Sequence, residues 1–344
     1  MRLRERVVRY SADDDGGEHD LSDMRAHTVV KCTTRAPAVA IHFAPRMSSL
    51  FTADRDDWTS SAPAEVSSSA ARALEAGDVL VCPALAFAAQ PDEAALFTPA
   101  ILGSSKNASY DPETDRLGGT RATGRDADRL RAFIRRFSDA AASLVDALLP
   151  GYRGAIVRAR ASFRPAEIAG RSASWRRDDT RLHVDAFPAT PSGGRRILRV
   201  FTNVNPEGRV RAWRIGGDFE DVARRFAGDL RMPLPGSGAL LALVRATKTP
   251  RTPYDALMLQ LHDRMKADGE FQRRSPQTAV DFRAGSTWMA FTDQVSHAAT
   301  AGQYQLEQTF LLPVAAMREP ERAPLRVLER IAGTPLAPVL PVTG

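Results

Sequence analysis

The fold is decided by the stretch TRLHVDAF at residues 180–187, in which His183 and Asp185 are separated by one residue. Successive side chains of an extended strand point to opposite faces, so residues two apart project from the same face. An imidazole and a carboxylate on one face can bind the same metal ion. The pair alone is weak support for a metal site, because many strands carry a His and an Asp on a face exposed to solvent.

A second histidine, His297, strengthens the metal interpretation. It follows the stretch AGSTWMAF at residues 284–291, which predicts a turn glycine and then an apolar strand. Histidines and carboxylates at the ends of buried strands are costly unless they are paired or bound to metal. Two histidines and one carboxylate form the ligand set of non-haem Fe(II) oxygenases, which leaves three coordination positions open. The three residues therefore predict an iron site.

Between about residue 150 and about residue 315 the chain resembles the Fe(II)/2-oxoglutarate dioxygenase superfamily. Within it, the chain resembles the bacterial Kdo 3-hydroxylases, which modify the sugar 3-deoxy-D-manno-oct-2-ulosonic acid (Kdo) of lipopolysaccharide. The resemblance is carried by RLHVDAFP at residues 181–188, GRRILRVFTNVNP at 194–206 and FTDQVSHA at 291–298. The first and third blocks indicate the superfamily, and the middle block indicates the narrower family.

The resemblance implies an activity and its cofactors. His183, Asp185 and His297 would hold Fe(II), with 2-oxoglutarate and O2 as co-substrates. Oxidative decarboxylation to succinate and carbon dioxide would be coupled to hydroxylation of an unactivated carbon. The narrower family implies that this carbon is C3 of Kdo on the lipid A-linked inner core, which would give the 3-hydroxylated sugar Ko. The implied partner is therefore an anionic, lipid-linked sugar, Kdo–lipid A.

A 2-oxoglutarate enzyme also needs a cation for the far carboxylate of its co-substrate, and a guanidinium binds a carboxylate through two hydrogen bonds. Many members of the superfamily place an arginine ten residues after the distal histidine, where this chain has Glu307. Another branch uses a basic residue on the strand after H-x-D, and Arg199 lies there, fourteen residues beyond Asp185. Arg199 is the predicted anchor, with Arg164 and Arg196 next.

Three polar residues are candidates to bind 2-oxoglutarate together with Arg199. Alternation along the predicted strand puts Arg199 on one face with Phe201, Asn203 and Asn205, which suggests a polar pocket. Thr180, just before the H-x-D pair, could offer a hydroxyl to the same carboxylate, as in that branch. The alternatives are a wet strand face with Arg199 in solvent and a threonine with a structural role only.

The substrate implied by the resemblance is anionic, so arginines near the mouth of the site are candidate contacts. They are Arg164, Arg209, Arg211 and Arg214. For any single one of them, a solvated arginine is the simpler interpretation.

Two other functions remain open at this stage. A different 2-oxoglutarate hydroxylase could act on a protein side chain or a small acid, because the pocket and not the triad sets the substrate. A jelly-roll protein could instead bind lipopolysaccharide or another anion without turnover, with a vestigial metal site. Succinate formation with a candidate substrate distinguishes turnover from binding.

Composition indicates an intracellular globular protein. The 344 residues are 43% hydrophobic, enough for a large core and for one or two domains. There is no run of eighteen apolar residues, and the charged N-terminus lacks the apolar region of a signal peptide. Cys32 and Cys82 show no CxxC spacing and fit a reducing compartment. We therefore expect a cytoplasmic protein.

The formal net charge is +6, and most of the cations are arginines. No basic block with interleaved aromatics and no nucleic-acid-binding motif occurs, so no nucleic-acid partner is expected. An anionic membrane surface or a polyanionic substrate explains the charge equally well. We expect peripheral contact with the inner face of the cytoplasmic membrane, through electrostatic attraction and without insertion.

The hydrophobic patterns predict a mainly β protein with flanking helices, folded as a double-stranded β-helix, the cupin-like jelly roll of two sheets. Strands are predicted at 38–43, 78–82, 155–165, 197–205 and 209–214, helices at 67–76, 126–149, 219–226, 254–266 and 319–331, and a long loop at 103–124. The predicted parts of the chain are an N-terminal region at 1–121, a dioxygenase core at 122–315, and a C-terminal helix and tail at 316–344.

Overall fold

The structure is a computed structural model, and it describes residues 46–338. The predicted strand at residues 38–43, Cys32 and the last part of the predicted tail lie outside the described residues. Buried Cys82 lies inside them, in a strand of the core.

The described part of the chain forms eleven strands in two sheets. The strands are β1 (Leu50–Thr52), β2 (Val79–Cys82), β3 (Ala108–Asp111), β4 (Arg116–Gly118), β5 (Val157–Arg164), β6 (Arg196–Asn203), β7 (Arg211–Gly216), β8 (Gln277–Phe282), β9 (Thr287–Phe291), β10 (His297–Ala301) and β11 (Gln305–Leu312). The major sheet has the order β1-β2-β9-β6-β11-β5-β3-β4, and the minor sheet has the order β10-β7-β8. All neighbouring strands are antiparallel except β1 and β2, which are parallel.

An aromatic cluster joins the two sheets. Trp213 of β7 makes edge contacts with Phe201 of β6 and Trp288 of β9, at ring-centroid distances of 5.0 and 5.7 Å. Phe282 of β8 stacks on Trp288 at 4.0 Å. Side chains from the inner faces of both sheets therefore fill one core, as expected for a sandwich-like jelly roll.

Seven α-helices surround the sheets in the described residues. They are α1 (Ala64–Glu75), α2 (Gly124–Leu148), α3 (Phe219–Phe226), α4 (Ser237–Leu243), α5 (Pro253–Ala267), α6 (Gly269–Arg274) and α7 (Pro324–Ala332). The long helix α2 packs on the major sheet through an apolar stripe, in which Phe133 meets Phe163 of β5 edge to face at 5.3 Å. Helix α5 begins with a capping box between Thr252 and Asp255.

Most predicted elements are confirmed, with two corrections. The predicted loop at 103–124 is wrong, since β3 and β4 form a hairpin there and bury Tyr110. Its polar residues belong to the turn, where Asp115 has a φ of 51°. The final helix begins at Pro324, five residues later than predicted, because Pro320 and Pro324 fit only the first turn of a helix. The division of the chain at residues 121 and 315 stays a prediction, and strands from both sides of 121 share the major sheet.

Candidate active site

The backbone brings His183 and His297 together. They form an isolated antiparallel bridge, in which the N–H of His183 donates to the carbonyl of His297 at 3.0 Å and the reverse bond measures 2.8 Å. The N–H of Asp185 donates to the carbonyl of Thr292 at 2.7 Å. As a result, one ligand atom from each of His183, Asp185 and His297 lies within 4.8 Å of the other two.

The two imidazoles are oriented by backbone carbonyls. The Nδ1–H of His183 donates to the carbonyl of Arg181 at 2.7 Å, and that of His297 donates to the carbonyl of Val295 at 2.8 Å. Because a carbonyl only accepts, the proton is on Nδ1 and the Nε2 lone pair is free to bind a metal. Burial lowers the pKa of both rings, and the neighbouring His297 lowers that of His183 further. Both histidines are therefore neutral, as metal ligands must be.

The third residue of the triad, Asp185, is an ionised carboxylate. Burial alone would raise its pKa, but the charge of Arg199 holds the pKa below the usual range. The Nε of Arg199 lies 3.3 Å from Oδ2 of Asp185. That Oδ2 is buried and accepts no hydrogen bond from the described residues. Two imidazole nitrogens and a carboxylate oxygen that lie within 4.8 Å of one another fit a divalent cation.

A buried ion pair fixes the loop that carries His297. The guanidinium of Arg196 donates to Asp293 at 2.8 Å and to the side-chain oxygen of Gln294 at 2.6 Å, and it lies 4.0 Å above the ring of Phe291. Arg196 is fully buried. The prediction that Arg196 could be the second alternative anchor for 2-oxoglutarate is therefore wrong, since its side chain holds the loop and does not line the cavity at the triad.

A cavity of about 370 Å³ opens at the triad. Its charged lining, besides the histidines, is strongly basic: Lys106, Arg164, Arg176, Arg177, Arg199, Arg211 and Lys266 face Asp179, Asp185 and Glu307. Seven cations against three carboxylates give an excess of positive charge in a partly buried space. Such a lining favours anionic ligands.

Most of the cations that line the cavity have carboxylate partners. Arg164 donates two hydrogen bonds of 2.9 Å to Glu307, and Lys106 donates to Asp179 at 2.7 Å. Arg199 lies between Asp185 and Glu307, with its Nη1 3.6 Å from the latter. Against the effect of burial, Arg164 and Arg199 lower the pKa of Glu307 to about 2.

Arg211 differs from these cations. Its guanidinium is almost completely buried and donates to the carbonyl of Gly302. Among the described residues it forms no ion pair, and burial together with the nearby Arg164 lowers its pKa to about 9. A buried cation without a counter-ion is costly, so Arg211 marks a place for a negative charge.

Unsatisfied polar atoms gather in the same cavity. Buried atoms without a hydrogen-bond partner among the described residues include Asp185 Oδ2, Arg199 Nε, Arg211 Nε, Trp213 Nε1 and Gln305 Oε1, and all five residues line the cavity. Buried polar atoms without partners are rare in native proteins, and each needs an explanation. Asp185 Oδ2 and Arg199 Nε face each other at 3.3 Å, and a polar ligand in the cavity explains the atoms of Arg211, Trp213 and Gln305.

Helix α5 and strand β7 bring residues that the sequence interpretation missed. His262 of α5 lies with its ring 5.4 Å from that of His183, and Lys266 lies one turn further along α5. Burial and the neighbouring Lys266 lower the pKa of His262. Trp213 stacks on His297 at 5.1 Å. The spacing of four residues between His262 and Lys266, which puts them on one helix face, was a signal that could have been used.

Three predicted cofactor residues lie outside the cavity. The hydroxyl of Thr180 donates to Asp178 at 2.6 Å. The amide of Asn203 donates to the carbonyls of Arg209 and Phe282, and the side-chain oxygen of Asn205 accepts from two backbone N–H groups. These side chains stabilise turns, because Asn and Thr readily bond to nearby backbone and polar groups. Their assignment to 2-oxoglutarate is therefore corrected.

The four arginines predicted as substrate contacts separate into two pairs. Arg164 and Arg211 line the cavity. Arg209 is exposed and pairs with Glu207 at 2.7 Å, and Arg214 donates to Gln277 and to the carbonyl of Thr180. Arg209 and Arg214 are therefore structural or solvated, since alternation on β7 turns Arg214 away from the face that carries Arg211 and Trp213.

Comparisons with known proteins agree with this geometry. The sequence model of the family described as 3-deoxy-D-manno-oct-2-ulosonic acid (Kdo) hydroxylase matches residues 57–335. Among solved structures, the chain is similar to the Kdo hydroxylase KdoO, a non-haem Fe(II) α-ketoglutarate-dependent dioxygenase. The complex of KdoO with α-ketoglutarate and Fe(III) is 43% identical, with a TM-score of 0.81 over 84% of this chain and 98% of that chain.

Two further KdoO structures match equally well. The complex with cobalt(II) is 43% identical, with a TM-score of 0.83 over 85% of this chain and 98% of that chain. The complex with succinate and Fe(III) is 43% identical, with a TM-score of 0.81 over the same shares. A search of curated protein sequences finds no match.

Proposed function

The chain belongs to the Kdo hydroxylase family of Fe(II)/2-oxoglutarate-dependent dioxygenases, and on this premise we propose that it hydroxylates Kdo at C3 while the sugar is attached to a lipid A precursor. The observation that carries the proposal is the pairing of a complete His183, Asp185 and His297 triad with a basic cavity. A complete triad also argues against a binding protein with a vestigial metal site.

The triad supplies the metal ligands. Nε2 of His183, Nε2 of His297 and a carboxylate oxygen of Asp185 would hold Fe(II). When bound, Fe(II) supplies the redox chemistry that couples decarboxylation of 2-oxoglutarate by O2 to insertion of one oxygen atom into a C–H bond, with succinate and carbon dioxide as co-products. The protein contributes fixed ligand orientations, because backbone carbonyls hold both imidazole rings.

Arg211, Arg199 and Arg164 are the proposed binding groups for 2-oxoglutarate. Arg199 was the first anchor expected from the sequence, but its charge is already shared between Asp185 and Glu307. Arg211 has no such partner and keeps an unused Nε–H. A dicarboxylate would supply the missing negative charge, and the free indole N–H of Trp213 offers one more donor.

The remaining cations of the cavity are the proposed contacts for the sugar acid. Lys106 and Arg177 line both this cavity and an adjoining groove, which continues past Arg121 and Arg171. Kdo carries a carboxylate and lipid A precursors carry phosphates, so the substrate is anionic along its length. A basic path leading away from the triad fits such a molecule. Positioning one C–H bond at the metal and excluding water are the tasks of the walls around it.

We also propose peripheral contact with the anionic inner face of the cytoplasmic membrane. Among the described residues, no helix combines the length and apolar character needed to cross a membrane. The formal charge of +6 favours attraction to anionic lipids, with each nearby Lys or Arg contributing about 1 kcal/mol. The protein would then encounter its lipid-linked substrate at the membrane surface that holds this substrate.

The experiment that tests this function uses the purified protein with Fe(II), 2-oxoglutarate, O2 and Kdo-linked lipid A precursor in detergent. We expect one succinate for each Kdo that gains an oxygen atom, and incorporation of ¹⁸O from ¹⁸O2 into the sugar. Succinate formation without an added oxygen on Kdo would contradict the substrate assignment. Faster hydroxylation of a protein or of a small acid than of Kdo would also contradict the substrate assignment.

A further inference from the structure

An exposed apolar surface surrounds helix α4. Five large apolar side chains between residues 230 and 251 are between 50% and 80% exposed, whereas such residues are scattered singly over the rest of the described surface. They are Met232, Leu234, Leu240, Leu243 and Val244. Contiguous exposed apolar groups on a globular protein mark a surface that binds a partner or a membrane.

The same segment carries only positive charge. Residues 230–251 contain Arg231, Arg245, Lys248 and Arg251 and no Asp or Glu. Within the described part of the chain, none of these four forms an ion pair, although Arg231 and Arg251 donate to backbone carbonyls. Apolar side chains flanked by cations are typical of segments that lie in the interface of an anionic bilayer.

The segment is fixed at the rim of the metal cavity. The N–H of Lys248 donates to the carbonyl of Ala189 at 2.9 Å, and Arg251 donates to the carbonyl of Pro188 at 2.7 Å. Pro188 lines the cavity that opens at the triad. Lys248 also lines a neighbouring cavity that shares Phe187, Arg199 and Glu307 with it.

Close packing holds α4 in this position. A Cβ added to Gly238 would lie 2.0 Å from the carbonyl oxygen of Arg251, so only glycine permits this approach. The exposed leucines are therefore presented by a helix that is fixed against the chain leading into α5, the helix that carries His262 and Lys266.

We propose that residues 230–251, here called the docking segment, insert their apolar side chains into the anionic phospholipid surface that carries the substrate. The four cations contact lipid phosphates, and the cavity mouth is brought to the membrane plane. This inference rests on the proposed function for its substrate, but it makes a separate claim about lipid binding. It adds an apolar contribution to the electrostatic contact expected from composition.

Vesicle co-flotation of the full chain tests the docking segment. The probes are vesicles of phosphatidylethanolamine and phosphatidylglycerol, with phosphatidylcholine vesicles as the neutral comparison. We expect Leu240→Ser with Leu243→Ser to lower partitioning onto the anionic vesicles at least about tenfold. Arg245→Gln with Lys248→Gln should lower it about thirtyfold. Leu50→Ser removes an exposed leucine of β1 and is the matched control, with partitioning unchanged.

Insertion has its own readout. The tryptophan in Leu243→Trp should be quenched by brominated acyl chains beyond the quenching seen in the unmodified chain. If the double leucine variant binds anionic vesicles as strongly as the wild type does, the proposal is overturned. Loss of self-association in that variant, without any change in vesicle binding, would also overturn it and show an interface between two copies.

Turnover separates this inference from the proposed function. Succinate formation with a deacylated, water-soluble Kdo acceptor should be equal in the wild type and the double leucine variant, while turnover of Kdo–lipid A in vesicles should fall in the variant. If the wild type hydroxylates Kdo but binds no vesicles, the membrane role of the docking segment is contradicted and the proposed function is retained. If vesicle binding depends on the two leucines but Kdo is not hydroxylated, the proposed function is contradicted and the membrane role of the docking segment is retained.

Discussion

Glu307 of β11 accepts two hydrogen bonds of 2.9 Å from the guanidinium of Arg164 on the neighbouring strand β5. Glu307 occupies the position, ten residues after His297, where many members of the superfamily carry an arginine. The charge at this position is reversed, and the cation comes from the adjacent strand. The cavity therefore keeps cations beside the triad through Arg164, Arg199 and Arg211, which come from three different strands.

Removing a metal ligand is predicted to abolish hydroxylation. His183→Ala, Asp185→Ala and His297→Ala each delete one of three protein ligands, which removes a large share of the metal-binding free energy. Iron affinity measured by competition with a chelator should fall together with succinate formation, while the circular dichroism spectrum is retained. His262→Ala is the control. The ring of His262 lies beside that of His183 but is not one of the three proposed ligands, so this variant should keep its iron affinity. Full activity in any of the three ligand variants would refute the metal site.

Loss of Arg211 is predicted to raise the 2-oxoglutarate KM. Arg211→Met removes charged hydrogen bonds worth about 1.5–3 kcal/mol, which corresponds to about a 10- to 150-fold higher KM. Arg199→Ala should raise the same KM, and Arg211→Lys should fall between. The control is Arg209→Ala, at an exposed arginine close by on the chain, which should leave the KM unchanged. An unchanged KM in both Arg211→Met and Arg199→Ala would place the anchor elsewhere.

Breaking the Arg196–Asp293 pair is predicted to destabilise the fold and the metal site together. Arg196→Met leaves Asp293 buried without a partner, which costs about 3–5 kcal/mol. Urea denaturation measures this loss, and iron affinity should fall because the loop before His297 is no longer clamped. Arg224→Met, at an exposed helix pair, should change stability by less than about 0.5 kcal/mol. Equal losses in the two variants would show that the buried pair has no special role.

The stability that Glu307 provides is predicted to disappear in acid. Its pKa is lowered from 4.5 in the unfolded chain to about 2 in the folded protein. The contribution is therefore complete above about pH 5 and is lost as the pH falls toward 2. The difference in the free energy of unfolding between the wild type and Glu307→Gln should narrow by on the order of 3 kcal/mol across this range.

The control for this pH dependence is Glu270→Gln, which removes an exposed carboxylate from α6. Its free energy of unfolding should stay parallel to that of the wild type over the same range. A difference between wild type and Glu307→Gln that does not vary with pH would contradict the ion-pair account.

The sequence predicted the fold where hydrophobic periodicity was long. The stripe from Leu130 to Leu148 predicted α2. The residue types and spacing of His183, Asp185 and His297 predicted that they come together, although His183 lies in an isolated bridge and not in a strand. The β3–β4 hairpin was missed because its strands are four and three residues long. Such short segments carry too few alternating residues to stand out from the turn between them.

Local sequence spacing predicted some residues of the candidate site, but not the features that depend on tertiary packing. Arg211 was named from its charge, but its lack of a counter-ion depends on how β5, β7 and β11 pack. Alternation predicted that Asn203 and Asn205 share a strand face with Arg199, but β6 ends at Asn203 and both amides bond to the backbone. His262 enters the cavity from α5, an insert whose position depends on tertiary packing.

The central claim is that this chain uses its triad to add an oxygen atom to Kdo. The most direct measurement is mass spectrometry of inner-core sugars from cells that make the protein, from cells without it, and from the latter supplied with the wild type or with His297→Ala. We expect Kdo with one added oxygen only where the wild type is present. The same sugar in cells without the protein, or in cells with His297→Ala alone, would contradict the claim.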